Sequence, residues 1–146
     1  LVNQLWDGKQ LLRARGSRGA LGSAALEDYV YVAAGIRDWA ELSGSATDIA
    51  LVRELTQQAW ERFFEPGGWK TTDRLLIPGM ALQPVMADGP LPSPAALLMG
   101  LSLQLEDTAA LRSLIRQAIS ISYPETRRQP LWHASHARLL IGVQEE

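Results

Sequence analysis

Two aspartates are the residues in this sequence best suited to do chemistry. Asp28 follows Glu27 and precedes Tyr29 at the head of residues 26–36, LEDYVYVAAGI. Asp88 opens the segment DGPLPS, which ends on Ser93. Glycoside chemistry needs two carboxyl groups across a cleft, roughly 5–10 Å apart depending on whether the mechanism retains or inverts. Asp28 and Asp88 are the pair the sequence offers, because each begins or precedes a strongly apolar helix and both can face one end of a helical array. The plainer reading, which the residue types favour, is that Asp28 stabilises the positive end of a helix and Asp88 makes a turn with Gly89.

His133 and His136 stand three residues apart on an expected last helix, a spacing that can serve a metal. No Glu-x-x-His or His-Glu-x-x-His frame surrounds them, and no metal site is expected. His136 falls in register with Trp132, Leu140 and Val143, so a hydrogen-bonded core histidine is the favoured reading. Of Trp6, Trp39, Trp60, Trp69 and Trp132, those at positions 39, 60 and 132 lie on helices and are expected to pack in the core. Trp69 follows Gly68 in an irregular stretch and is kept as a candidate sugar-stacking platform. Lys9, Arg13, Arg15 and Arg18 form the most basic stretch, read as a solvated loop because no Gly-x-x-x-x-Gly-Lys pattern frames it. No Gly-x-Ser-x-Gly elbow supports acyl hydrolysis.

Composition narrows the classes further. A chain of 146 residues, 47% hydrophobic and 21% charged, can build a real core. A net charge of -2 gives no field that favours nucleic acid. The absence of cysteine excludes disulfides, thiol redox chemistry and cysteine-bound zinc. No apolar run is long enough to span a bilayer, so neither membrane nor nucleic acid is an expected partner. No organic cofactor is expected, and the expected location is cytoplasmic. Leu1 is not an initiator Met, so a fragment or processed product is expected.

The elements that must position these residues are mostly helices. Residues 1–6 read as a helix tail or, with Asp7-Gly8, as one arm of a hairpin; the helix tail is preferred. Residues 9–15 read as extended and the glycine-rich residues 16–22 as a loop. Ser23 is expected to cap a first helix reaching about Leu42, with Gly44 ending it and Ser45 or Thr47 capping a second that runs to about Phe64. On that second helix Ile49, Val52, Ala59 and Phe63 form one stripe, opposite Arg53, Gln57 and Glu61. Pro66-Gly67-Gly68 stops it. Residues 69–77 are expected to pair as a short strand or hairpin, with residues 9–15 as one candidate partner. Ser93-Pro94 starts a third helix to about Leu105. Asp107 caps a fourth to about Ile121, with Leu111, Leu114, Ile115 and Ala118 on its apolar face and Tyr123-Pro124 ending it. A fifth covers residues 130–143. The first, third and fifth are apolar nearly all round and the others one-sided. That alternation predicts an all-α fold of antiparallel helical hairpins in two layers, part of an α/α toroid, with a small extended pair.

Three segments in this order, LLRARGSRGALGSAALEDYVYVAAGI, AWERFFEPGGW and DGPLPSPAALLMGLSLQLEDTAALR, resemble the C-terminal half of the YyaL-type proteins, the thioredoxin-domain-containing, spermatogenesis-associated family. There an N-terminal thioredoxin-like domain precedes a six-hairpin helical toroid similar to those of N-acylglucosamine epimerases and some glycosidases. The resemblance implies that this chain is the closing portion of such a toroid, in one domain, without the thioredoxin-like domain. Glu27-Asp28-Tyr29 matches the family's entry to an inner helix, and Asp88-Gly89 with Pro92-Ser93 matches its Asp-Gly-x-x-Pro-Ser segment. The family continues Gly-Asn-Ser where this chain has Pro94-Ala95-Ala96, and an acidic residue usual within residues 32–35 is missing.

The implied site is therefore Asp28 and Asp88 as carboxylates, with Glu27, Tyr29, Trp69, Ser93 and His136 around a small carbohydrate. Epimerases of similar shape use histidine as acid or base, a role open to His136. The departures from the family pattern favour a non-catalytic binding or structural portion of a carbohydrate-processing-like domain. The alternative is part of a sugar epimerase, isomerase or glycosidase. Uncovered apolar helices predict self-association or a missing upstream segment.

Overall fold

The computed structural model describes residues 2–73, 82–105 and 109–144. The described chain is mostly helical, with short antiparallel strand pairs. It divides into two compact units, Leu1–Phe63 with Lys70–Met80 and Phe64–Trp69 with Ala81–Glu146. No helix among the described residues is long and apolar enough to cross a membrane.

The first unit opens with one helical turn, α1 (Val2–Leu5), and then a tight reversal. Asp7 Oδ1 accepts from the backbone N–H of Lys9 at 2.8 Å and of Gln10 at 2.7 Å, and Trp6 bridges Leu11 across the turn. A helical turn and the Asp-Gly reversal thus both exist, one after the other. β1 (Leu12–Gly16) pairs with β2 (Gly19–Ser23), in the register Leu12↔Ser23 and Gly16↔Gly19. This corrects two expectations. The glycine-rich stretch is not a plain loop but the turn and second strand of a hairpin, with Gly19 at φ 121 taking up the reversal. Nor does β1 pair with any of residues 69–73; residues 74–77 lie outside the described residues.

α2 (Leu26–Ser43) and α3 (Ala46–Phe63) form an antiparallel hairpin. Its link is built as the residue types demand: Gly44 turns left-handed at φ 68 and donates to the Ala40 carbonyl at 2.8 Å. The Ser45 hydroxyl then accepts from Asp48 N at 3.2 Å. Ser23 does not cap α2, because it is the last residue of β2 and its hydroxyl accepts from Gln10 Nε2. Leu26, Tyr29, Val30, Ala33 and Ala40 are buried on α2, as are Val52, Leu55, Ala59 and Phe63 on α3. Tyr29 meets Phe63 edge-on with ring centroids 5.5 Å apart. The expectation that α2 is buried all round fails, for Trp39 is 61% and Leu42 85% exposed. Its buried residues make one helical stripe, and these two point away from it.

The second unit starts with a two-residue strand pair, β3 (Phe64–Glu65) and β4 (Gly68–Trp69), turned by Pro66-Gly67. Trp69 also exchanges both backbone hydrogen bonds with Gln83, at 2.8 and 3.0 Å. α4 (Pro94–Gln104) starts as expected, with the Ser93 hydroxyl accepting from Ala96 N and Pro94 in the first turn. Ala95, Ala96, Leu98, Met99, Leu101 and Ser102 are buried, so this helix is covered on nearly every side.

α5 (Ala109–Arg128) and α6 (Ala134–Gln144) pack with α4. Asp107, the expected cap of α5, lies outside the described residues. α5 runs through Pro124 instead of ending before it. Pro124 sits on the exposed side of the helix, where water can satisfy the carbonyl that loses its N–H partner. Ile115, Ala118, Ser122 and Thr126 are buried on α5. α6 starts at Ala134 because residues 130–133 form a turn. It is one-sided rather than buried all round, with Ile141 exposed.

Gly68 has a steric duty. Its φ is 144, and a Cβ there would lie 2.7 Å from the Gln83 carbonyl carbon and closer still to its oxygen. Gly89 has open space around its Cβ position. Gly68→Ala is expected to cost about 2–3 kcal/mol from strain and backbone displacement, and Gly89→Ala under about 1 kcal/mol. Urea titrations of the two variants against the parent chain check this.

Candidate functional site

In the second unit, Asp88, Ser93 and His136 come together where α4 and α6 begin. Every helix leaves its first N–H groups without partners in its own turns, and a carboxylate is the strongest neighbour they can have. Asp88 serves two helices at once. Its Oδ1 accepts from Ser93 N at 2.7 Å and its Oδ2 from Ser135 N at 2.9 Å. Its own N–H donates to the Trp132 carbonyl at 2.9 Å. The Ser135 side chain adds a further hydrogen bond. Burial opposes the charge of Asp88, but the bonds from Ser135 and Ser93 outweigh it and hold the carboxyl below its ordinary range.

Ser93 Oγ lies 3.1 Å from His136 Nε2. The His136 ring also hydrogen-bonds the backbone of Met86, in the sense that favours a ring N–H donor. With that N–H on the Met86 carbonyl, Nε2 of the neutral ring is the acceptor and the Ser93 hydroxyl the donor. Burial first, then the charge of His133, lower the His136 pKa to about 4, against the opposing pull of Asp88 and Met86. The His133 ring sits edge-on to it with centroids 6.2 Å apart. His133 is buried as well, and its Nδ1 has no hydrogen-bond partner among the described residues.

A serine hydroxyl on a neutral histidine is the pairing that activates nucleophiles. Here it is sealed, with Ser93 0% and His136 1% exposed. The carboxylate holds backbone N–H groups rather than orienting the imidazole. The cluster therefore works as a joint between two helix starts. No group of three or more His, Asp or Glu among the described residues could hold a metal ion.

Glu27, Asp28 and Tyr29 belong to the first unit, where each has a structural partner. Asp28 Oδ2 accepts from Ala25 N at 2.8 Å, with Arg13 Nε 3.6 Å away. Glu27 pairs with Arg13 at 3.0 Å in the open. Tyr29 is buried, and its hydroxyl accepts from Leu11 N at 2.8 Å, fixing the start of the hairpin to α2. That burial pushes its phenol pKa up, against the hydrogen bond from Leu11. A cleft beside Asp28, lined by Trp6, Leu11, Arg13, Val32 and Leu55 among others, has a volume of about 60 Å³. Small-molecule sites begin at about 300 Å³, so this cleft is well below the ordinary size of a ligand site.

Trp69 is fully buried with its ring centroid 4.7 Å from that of Phe64, so it offers no stacking face to solvent. Trp39 and Trp132, expected in the core, are the exposed ones, while Trp60 is buried as expected. Sequence reasoning missed Met86 and Ser135. Ser135 is bonded across 47 positions of chain, and no local pattern announces such a bond.

No protein-family model, curated protein or solved structure matches this chain.

Asp88→Asn keeps the shape of the joint but turns an amide N–H₂ toward one of the two backbone donors. Hydrogen bonds to a charged acceptor are each worth about 1.5–3 kcal/mol, so a loss of about 2–3 kcal/mol is expected. Glu27→Gln, removing an exposed ion pair, is expected to change stability by less than about 1 kcal/mol. The urea midpoints of the two variants measure the contrast.

Proposed function

We propose that this chain is a non-catalytic structural or binding portion of a carbohydrate-processing-like helical domain, built as part of an α/α toroid of the kind the YyaL-type proteins carry. The observation that carries this reading is that the residues the resemblance singles out for a site are tied to backbone groups, ion-paired or buried. Asp28 and Asp88 accept backbone N–H groups at helix starts. Tyr29, Trp69, Ser93 and His136 are buried. Glycoside hydrolysis requires one carboxyl group free to give a proton and a second free to attack or to activate water, and both candidates are otherwise engaged. The α2–α3 hairpin and the enclosed α4 are the features that support a toroid-like arrangement. Exposed Trp39 and Leu42 on the first unit, and Leu131 and Trp132 on the second, support surfaces completed by other helices, whether upstream ones of the same protein or those of a second copy.

Two measurements test the reading. The chain, incubated with aryl glycosides and with N-acylated hexosamines, is expected to give no turnover above buffer; turnover abolished by Asp28→Asn or Asp88→Asn would overturn it in favour of an enzyme. In light scattering the chain alone is expected to behave as a dimer, and a monomer at all concentrations would remove self-association from the reading.

A further inference from the structure

α6 is held to its unit largely by polar ties. Among its residues 134–142, whose burial is described, only His136 is fully buried, whereas α4 buries six. Leu139 reaches the α4 backbone at Gly100 with 3.9 Å of clearance for a Cβ there, and Ile141 faces solvent. What fixes the beginning of α6 is the set of bonds from Asp88 to Ser135, from Ser93 to His136, from His136 to Met86 and from Asp88 to the Trp132 carbonyl. An element with little apolar burial opens at lower free energy than its neighbours.

We propose that the joined starts of α4 and α6 form an acid-released clasp: proton uptake by His136, and then by Asp88, frees α6 while α4 and α5 remain folded. The geometry gives the reason. Nε2 of the neutral ring accepts the Ser93 proton. A proton arriving on Nε2 makes both groups donors, and the hydroxyl can reverse only by finding a new acceptor. Ser93 Oγ already accepts from Ala96 N, and the Asp88 carboxylate already takes Ser93 N, Ser135 N and the Ser135 side chain. The charged groups around the ring do not relieve this. Asp88 attracts the proton, but the His133 ring repels it when charged. Glu125, on α5, feels His133 and is tied up with Arg128 and Gln129. α4 carries no ionisable side chain, and Arg138 on α6 is exposed.

The sign follows from linkage. A histidine held near 4 when closed, against an ordinary 6.5 when released, makes the open state bind more protons in between. The closed form is fully favoured above the ordinary value and loses ground as pH falls toward the lower one, by about tenfold per pH unit. Asp88, held below its ordinary range, adds loss in the same direction at still lower pH.

Amide hydrogen exchange on the whole chain, corrected for intrinsic rates, tests the clasp between about pH 7 and about pH 4.5. The amides of α6 are expected to lose protection about tenfold per pH unit below about pH 6, while those of α4 and α5 keep theirs. His136→Gln, which retains a hydrogen-bonding group without the titration, is expected to flatten that slope. Loss of α4, α5 and α6 protection in one step, or an unchanged slope in His136→Gln, would overturn the proposal. Should that variant not fold, NMR titration of the parent ring serves instead: a pKa near the ordinary value refutes the clasp, and one depressed by about two units supports it.

Discussion

Helix starts are the constraint on which this structure turns. The first N–H groups of an α-helix find no acceptor in their own turns, and leaving one buried without a partner costs about 1–3 kcal/mol. A domain of this size has a net stability of only about 5–15 kcal/mol, so a few such omissions would unfold it. The chain meets the demand with short polar side chains at four described helix starts: Asp28 in the first turn of α2, Ser45 before α3, Ser93 with Asp88 before α4, and Asp88 again on Ser135 N in the first turn of α6. Tyr29 does the same for the strand side, accepting the buried Leu11 N–H. The residues whose types point to acid–base chemistry are thus the ones that the backbone claims.

This explains how carboxylates, a serine and a histidine can sit as they do without implying turnover. Ser93 and His136 are at hydrogen-bond distance and in the right protonation state for one another. What they lack is access, and a carboxylate directed at the imidazole. A site is defined by what can reach it as much as by which groups it contains. In the first unit the equivalent argument is one of volume, because the cleft at Asp28 is well below the ordinary size of a ligand site.

What the sequence made legible was local. Gly44 followed by Ser45, Pro66-Gly67-Gly68, and Ser93-Pro94 each contain their own reason to end or begin a helix, and each does so. The stripes of α3 and α5 were readable from their period, as was the burial of His136. The rest depended on partners distant in sequence or on context that overrides local preference. The β1–β2 hairpin hides in a glycine-rich stretch that reads as loop, because glycine serves a turn and a short strand equally well. α2 and α6 look like interior helices by composition, yet Trp39, Leu42 and Ile141 are wet; apolar side chains do not by themselves say which of them will find cover. Pro124 fails to end α5 since a helix can carry a proline where the deserted carbonyl faces water. The double bond of Asp88 joins a turn to a serine far down the chain, and only the fold brings them together.

The placement of the tryptophans has an optical consequence. The first unit contains Trp60 in its interior and Trp39 on its surface; the second contains Trp69 in its interior and Trp132 on its surface. Indole emits at shorter wavelength in an apolar interior than in water, and a dissolved quencher reaches only the wet ring. Each unit therefore carries one shielded and one accessible fluorophore, and the first adds the half-buried Trp6. Replacing every tryptophan of one unit with phenylalanine, Trp6 included for the first, would leave the light of the other to be followed alone.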